Sequence, residues 1–186
     1  MKKLILVGAL ALCGAVNAQT FGVKAGVNVS NISEAEDTKA KVGFNAGVFM
    51  NAPIAANFSI QPEVLYNSKG AKLDDSNFDI KVNLDYISVP VMFQYNATPK
   101  FYLEAGPEFS FLISGKVKAE GESEDVKDTF KGFDLGIGLG AGFNITSNLG
   151  VNARYVAGVT DIIDVNEADA SKNGVFQLGL YYKFAK

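Results

Sequence analysis

Six ionisable side chains stand out because they interrupt runs that are otherwise small, glycine-rich or polar: Lys24, Glu63, Glu104, Glu108, Asp134 and Arg154, the last being the only arginine in the chain. Groups of this kind can pass a proton, ligate a cation or neutralise one another. A carboxylate couple working as acid and base is the first chemistry to test. Glu104 and Glu108 share a parity, yet they stand four residues apart, about 13 Å along an extended chain. That separation does not suit a carboxylate pair. The chain has no histidine, and Cys13 is its one cysteine. Ser-His-Asp catalysis and histidine-ligated metals are therefore excluded. The run Gly136-Ile137-Gly138-Leu139-Gly140-Ala141 matches a dinucleotide fingerprint by letter, but that motif needs a helix after it to hold pyrophosphate. Here an every-second-residue pattern continues to Ile145. The glycines read instead as a stripe leaving room for large side chains opposite. Asp161-Ile162-Ile163-Asp164-Val165-Asn166 lacks the alternation and the glycine of a calcium loop. No catalytic residue, cofactor or metal ligand is assigned.

The charged residues must be positioned by elements of period two. Apolar side chains recur at every second position over 21–29, 42–50, 58–66, 87–95, 101–113, 133–145, 149–159 and 176–184, forty-five positions with no charge among them. Successive side chains leave a strand on opposite faces, so these are eight β-strands. A closed eight-stranded barrel has a lumen just wide enough for side chains to fill. The equivalent core of a (β/α)8 barrel takes roughly a dozen residues. Forty-five mostly bulky side chains do not fit inside and must face outward. The opposite parity carries Gly22, Lys24, Gly26 and Asn28 in the first strand, and Asp134, Gly136, Gly138, Gly140 and Gly142 in the sixth. Small and polar residues suit a crowded lumen, whereas an apolar exterior suits lipid. Five same-face residues span roughly 33 Å of strand. At a tilt of about 45° they cover roughly 24 Å, near the 25 Å apolar band of outer-membrane barrels.

The connections alternate in length. The long ones are about 31–40, 69–81, 114–130 and 160–173, and the short ones 51–57, 96–100 and 146–148. Outer-membrane barrels have long extracellular loops and short periplasmic turns. Pro53, Asn57, Asn96, Pro99, Ser147 and Asn148 supply turn chemistry to the short ones. Outward aromatics then gather at the periplasmic ends as a girdle: Phe21, Phe58, Phe93, Tyr95, Phe101, Phe143, Tyr182 and Phe184. Phe44, Tyr66, Phe111, Phe133 and Phe176 form a looser upper ring. The six charges have lumen parity. A charge in a narrow lumen is costly unless paired, so Arg154 and Lys24 are expected to pair with Glu63, Glu104 or Glu108 and plug the barrel. The plain reading is that this network only satisfies the interior; the functional one is a gate that opens when a pair exchanges partners.

Residues 1–18 read as a secretory signal. Lys2 and Lys3 precede an apolar run from Leu4 to about Val16, followed by Asn17 and Ala18, too short a run to cross a membrane as a helix. Leu10-Ala11-Leu12-Cys13 resembles a lipoprotein box, but Leu12 stands where a small residue belongs. Cleavage after Ala18 leaves no cysteine, so no disulfide forms. It also leaves 15 basic against 20 acidic side chains, and fifteen of the acids fall in the four long connections. An anionic crown disfavours nucleic acid. It suits a cation or an extracellular protein, or is simply a solvated surface.

Several motifs carry a resemblance: Gln61-Pro62-Glu63-Val64-Leu65-Tyr66-Asn67-Ser68-Lys69-Gly70, Tyr86-Ile87-Ser88-Val89-Pro90-Val91, Phe101-Tyr102-Leu103-Glu104-Ala105-Gly106-Pro107 and Gly179-Leu180-Tyr181-Tyr182-Lys183-Phe184. Together they resemble the PorT-like outer membrane β-barrel domain family. The resemblance implies a small barrel in the outer membrane of a Gram-negative bacterium, with some members linked to protein secretion. The expected fold is an all-β, closed, antiparallel eight-stranded transmembrane β-barrel over residues 19–186, preceded by a cleavable signal peptide at 1–18. The expected role is non-enzymatic, structural or surface-interacting, through four acidic extracellular loops. The expected partners are outer membrane lipid and the barrel-insertion machinery, with the chain as a monomer. The alternatives are a PorT-like accessory role in secretion, a soluble periplasmic ligand-binding β-barrel, and a lipid-acting enzyme for which no nucleophile and base are found.

Overall fold

The computed structural model describes residues 19–32, 38–75, 78–119, 122–161 and 172–184. The 1–18 segment, read above as a signal, lies outside them. Among the described residues there are nine strands: β1 (Thr20–Ile32), β2 (Thr38–Ala55), β3 (Phe58–Asp75), β4 (Phe78–Asn96), β5 (Phe101–Ala119), a short β6 (Glu122–Asp125), β7 (Phe133–Asn144), β8 (Leu149–Gly158) and β9 (Asn173–Lys183). One 3-10 turn (Lys127–Thr129) follows β6.

Eight of these strands form a ring. Each pairs antiparallel with its chain neighbour, β5 with β7 across the short β6, and β1 with β9 closes the circle. The register can be followed round it. Asn96 lies opposite Tyr102, Tyr102 opposite Gly142, Gly142 opposite Asn152, and Asn152 opposite Gly179. Gly179 faces Gly26, Gly26 faces Asn45, Asn45 faces Asn67, and Asn67 faces Tyr86. The circuit leaves β4 at Asn96 and returns to it at Tyr86, ten residues away. On eight strands that stagger tilts the strands by about 40° and sets a backbone radius of about 8 Å. Closure leaves no strand edge in hydrocarbon, where an unpaired backbone group would be costly.

The two faces sort as the alternation demands. Phe133, Ile137 and Leu139 are exposed on the outside, while Asp134 and Arg154 are buried inside. The same outward exposure holds for Phe21, Val48, Val64, Phe93, Leu103, Tyr155 and Leu180. A soluble barrel that binds its ligand among apolar lumen residues is ruled out by this orientation. Pro62, Pro90 and Pro107 lie on three neighbouring strands within about one register step of one another. Each lacks an N–H and so removes one rung of the ladder.

Strand lengths depart from expectation. β2 to β5 run 18 or 19 residues, while β7, β8 and β9 have 12, 10 and 11. Two of the connections expected to be long are therefore largely strand. β3 and β4 stay paired out to Asp75 opposite Phe78, and β5 continues through Ser114 to Ala119. The lipid-facing pattern ends at the bilayer edge, but the hydrogen-bonded ladder does not need apolar side chains and continues into water. Nineteen tilted residues rise roughly 47 Å, about twice the apolar band, so one wall of the barrel stands well above the membrane. At the foot of that wall Gly70 takes a φ of 132°, a conformation that favours glycine. Ala71, Leu84, Tyr86 and Leu112 form a small core on the inner face of the wall, with Val82 and Phe130 packed against it. The chain after β6 thus folds over the outer mouth, pinned by Val126 N–H to Gly115 O at 3.0 Å.

The short turns carry a feature not anticipated. Thr98 Oγ1 accepts the N–H of Phe101 at 2.9 Å, and Thr146 Oγ1 accepts that of Leu149 at 2.9 Å. Two turns on the same side of the barrel use one device, a hydroxyl standing in for a backbone carbonyl.

Candidate functional site: a charge-filled lumen

The lumen is occupied by ionic and amide side chains arranged in levels. At its centre Arg154 on β8 is fully buried. Its Nη1 and Nη2 donate to the two carboxylate oxygens of Glu63 on β3 at 3.0 and 2.7 Å, and Nε donates to Glu104 Oε1 on β5 at 2.8 Å. The planar fork of the guanidinium fits the Glu63 carboxylate two bonds at a time. Lys24 on β1 stands 3.4 Å from both Glu63 oxygens. Gln61 donates to Glu63 at 2.8 Å, and Gln94 donates to Glu104 at 3.1 Å. Two cations and two carboxylates meet from four strands, so this level carries no net charge. Glu63 and Arg154 are 91 residues apart in sequence, and only the closed ring brings them together.

The other inward charges fall into separate groups. Glu108 accepts from Lys69 Nζ at 2.9 Å, with Ser110 bridging beside it. Asp134 accepts from Thr160 Oγ1 and from Asn173 Nδ2, each at 2.9 Å. Four residues beyond Lys24 on β1, Asn28 donates to Phe44 O at 3.1 Å and to Asn67 Oδ1 at 3.2 Å, and accepts from Asn45 at 2.6 Å. Lys41 donates to the Lys69 carbonyl at 2.7 Å. Sequence reasoning missed Lys69 and Lys41 because both were assigned to long connections or their margins. The signal was there for Lys69: the inward parity of Glu63, Leu65 and Asn67 continues to it without a break.

Below the central level three rings fill the turn-side mouth. Phe49, Tyr102 and Tyr181 pack together, Phe49 edge-on to Tyr181 with centroids 6.1 Å apart. Each covers a lumen glycine. A Cβ on Gly142 or Gly150 would lie 2.2 Å from Tyr102 or Tyr181, and one on Gly22 would lie 2.3 Å from Phe49. These glycines give the rings their space. Lys24, Gln61, Gln94, Tyr102, Tyr181 and Lys183 are among the residues bounding a small polar cavity here, about 40 Å³.

The eight residues expected as a periplasmic girdle are all exposed on the outer face. Phe58 lies directly opposite Tyr95, with ring centroids 5.3 Å apart, and Phe101 lies opposite Phe143. Toward the other end Phe44 meets Tyr66 at 5.3 Å, and Phe111 meets Phe133 at 5.6 Å. Of the acidic crown, Glu34, Glu36, Asp37, Glu120, Asp164, Glu167 and Asp169 lie outside the described residues. Among the described residues no cluster of acids is gathered as a metal would need.

Chemically, this lumen pairs its charges with one another and with amide and hydroxyl groups. Its carboxylates are engaged by arginine, lysine, amide or hydroxyl donors. A sequence model of the outer membrane protein beta-barrel domain matches residues 17–164. No curated protein matches the chain. Among solved structures, the attachment invasion locus protein Ail of Yersinia pestis superposes with a TM-score of 0.55 at 20% identity, covering 90% of this chain and 99% of that one. Neisserial surface protein A superposes with a TM-score of 0.58 at 16% identity, covering 88% and 97%. A major outer membrane protein from Thermus thermophilus gives 0.52 at 14% identity, covering 90% and 100%. At these identities the likeness is one of fold.

Proposed function

We propose, from the premise that the chain belongs to the outer membrane protein beta-barrel domain family, that it is a non-enzymatic barrel whose lumen is a structural plug and whose working surface is the part standing above the outer membrane. The observation that carries this reading is the Arg154 cluster. An arginine with three charge-assisted bonds to two carboxylates, all buried, fills the middle of the interior and commits both carboxylates to a structural pairing. Residues 1–18 are removed on export, residues 19–186 form the barrel, and the insertion machinery delivers it as a monomer. The eight turn-side aromatics anchor it at the periplasmic interface. The acidic extracellular segments contact a protein or a cation.

Planar-bilayer recording tests the plug. The wild-type protein should pass no ohmic ion current, and Arg154→Ala should pass none either, because the remaining amides and rings still fill the lumen. Current that appears in Arg154→Ala alone would replace the plug with a gate, in which Lys24 at 3.4 Å from Glu63 is the cation that takes over the carboxylate. The PorT-like role in secretion rests on the motif resemblance, and normal secretion in a deletion strain would remove it.

A further inference from the structure

The register places four lysines side by side on the outer face of the raised wall. Lys39 on β2 lies opposite Lys72 on β3, Lys72 opposite Lys81 on β4, and Lys81 opposite Lys118 on β5. Lys39 and Lys118 are exposed, while Lys72 and Lys81 are half-buried. Directly opposed positions on neighbouring strands hold their Cβ atoms about 5 Å apart, and like charges so placed destabilise a sheet. Three such contacts in succession form a cationic row about 15 Å long. Acids stand at nearby register positions: Asp74 lies opposite Asp79 farther from the bilayer, and Asp125 lies opposite Lys116. Lys39 and Lys81 have partners within the protein as well, so the row acts through its summed field rather than through idle ammonium groups.

The row's height matters as much as its charge. The last lipid-facing apolar residue below Lys81 on β4 is Ile87, with Asp85 and Asn83 between them on the same face. Six residues of tilted strand rise roughly 15 Å, and the three from Val42 to Lys39 on β2 roughly 7 Å. Lysine stems snorkel toward charged interfaces from such positions. The row therefore faces sideways into the layer where outer-leaflet headgroups stand, on the side of the barrel away from its short turns. Basic residues beside a bilayer attract anionic headgroups, and the attraction falls off within a Debye length.

We propose that Lys39, Lys72, Lys81 and Lys118 form a binding strip for the phosphate groups of an outer-leaflet glycolipid, which clamps the raised wall to the membrane surface. The headgroup phosphates neutralise the repulsion that the register builds in. The repulsion is retained because the strip is a site and not a packing feature.

The test compares the refolded full chain in phosphatidylcholine vesicles with and without a bisphosphorylated glucosamine glycolipid in the outer leaflet, reading the urea midpoint by the heat-modifiable electrophoretic band. The wild type should gain stability from the glycolipid, its folded-to-unfolded ratio rising about 100-fold when headgroups stand at 100 times their dissociation constant. Lys72→Gln/Lys81→Gln/Lys118→Gln should lose that gain while folding at least as well as the wild type in pure phosphatidylcholine. Lys100→Gln, in a short turn, should keep it. An equal gain in wild type and triple variant would overturn the proposal. So would failure of the triple variant to fold in neutral vesicles, which would make the row a structural necessity. A matching selective gain from inorganic phosphate at equal ionic strength would overturn it too, since the ligand would then be a soluble anion.

Discussion

Removing the guanidinium at the centre of the lumen is the sharpest perturbation available. Arg154→Met keeps most of the stem volume and deletes three charge-assisted bonds of 2.7, 2.8 and 3.0 Å. The level then holds two carboxylates against one ammonium, and that ammonium is 3.4 Å away from Glu63. Breaking a buried ion pair from one side costs about 3–5 kcal/mol, because a charge is left buried without compensation. With a urea slope of about 1–3 kcal/mol/M, the unfolding midpoint in phospholipid vesicles should fall by at least about 1 M. A second substitution tests the cause. Glu104→Gln in the Arg154→Met background restores neutrality, leaves the Lys24–Glu63 pair, and gives Gln94 an amide to bond. The double variant should recover about 2 kcal/mol relative to Arg154→Met alone, an interaction energy within the range seen for neighbours in one network. Additive losses would refute the argument that charge imbalance, and not lost packing, sets the cost.

Other outcomes follow from the faces and glycines. Leu139 is 62% exposed on the outer face, so Leu139→Arg should cost about 2–4 kcal/mol in vesicles if it lies near the bilayer midplane, read as a lowered urea midpoint; a neutral result would place that face outside lipid. Gly26→Ala would set a Cβ 2.2 Å from the Leu178 carbonyl across the β1–β9 closure, and should lower the folded fraction, whereas Gly132→Ala, with nothing within 4 Å, should match or slightly exceed wild type. Gly142→Ala should cost about 1–3 kcal/mol by overpacking against Tyr102, and Tyr102→Leu should recover part of it in the same unfolding assay. Thr98→Val and Thr146→Val each delete a turn bond of 2.9 Å and should each lower stability by about 1 kcal/mol, measured by the same midpoint.

The orientation of every barrel strand is legible in the sequence, since a period of two leaves a residue only two faces and the volume of a narrow lumen decides between them. Glycines at 136, 138, 140 and 142 and charges at 24, 63, 104 and 154 fall inside for that reason. Strand ends were less legible. Lys69 is inward and paired with Glu108, yet the apolar pattern that marks a strand had already stopped at Tyr66. Above the bilayer a paired strand has no need of an apolar face, so composition there resembles a loop. The two turn threonines escaped notice because a hydroxyl that caps a turn looks like any surface hydroxyl until its acceptor geometry is seen.

The chain's residues by themselves determine an all-β barrel with an oily exterior and an ionic interior, because alternation and volume are local properties. Which charges meet is decided only when the ring closes. A stagger of ten residues sets Arg154 against Glu63 and Glu104, sends Glu108 to Lys69, and lines up lysines from four strands on one outer face. Register is a property of strand pairs rather than of any one strand, so no reading of single segments contains it.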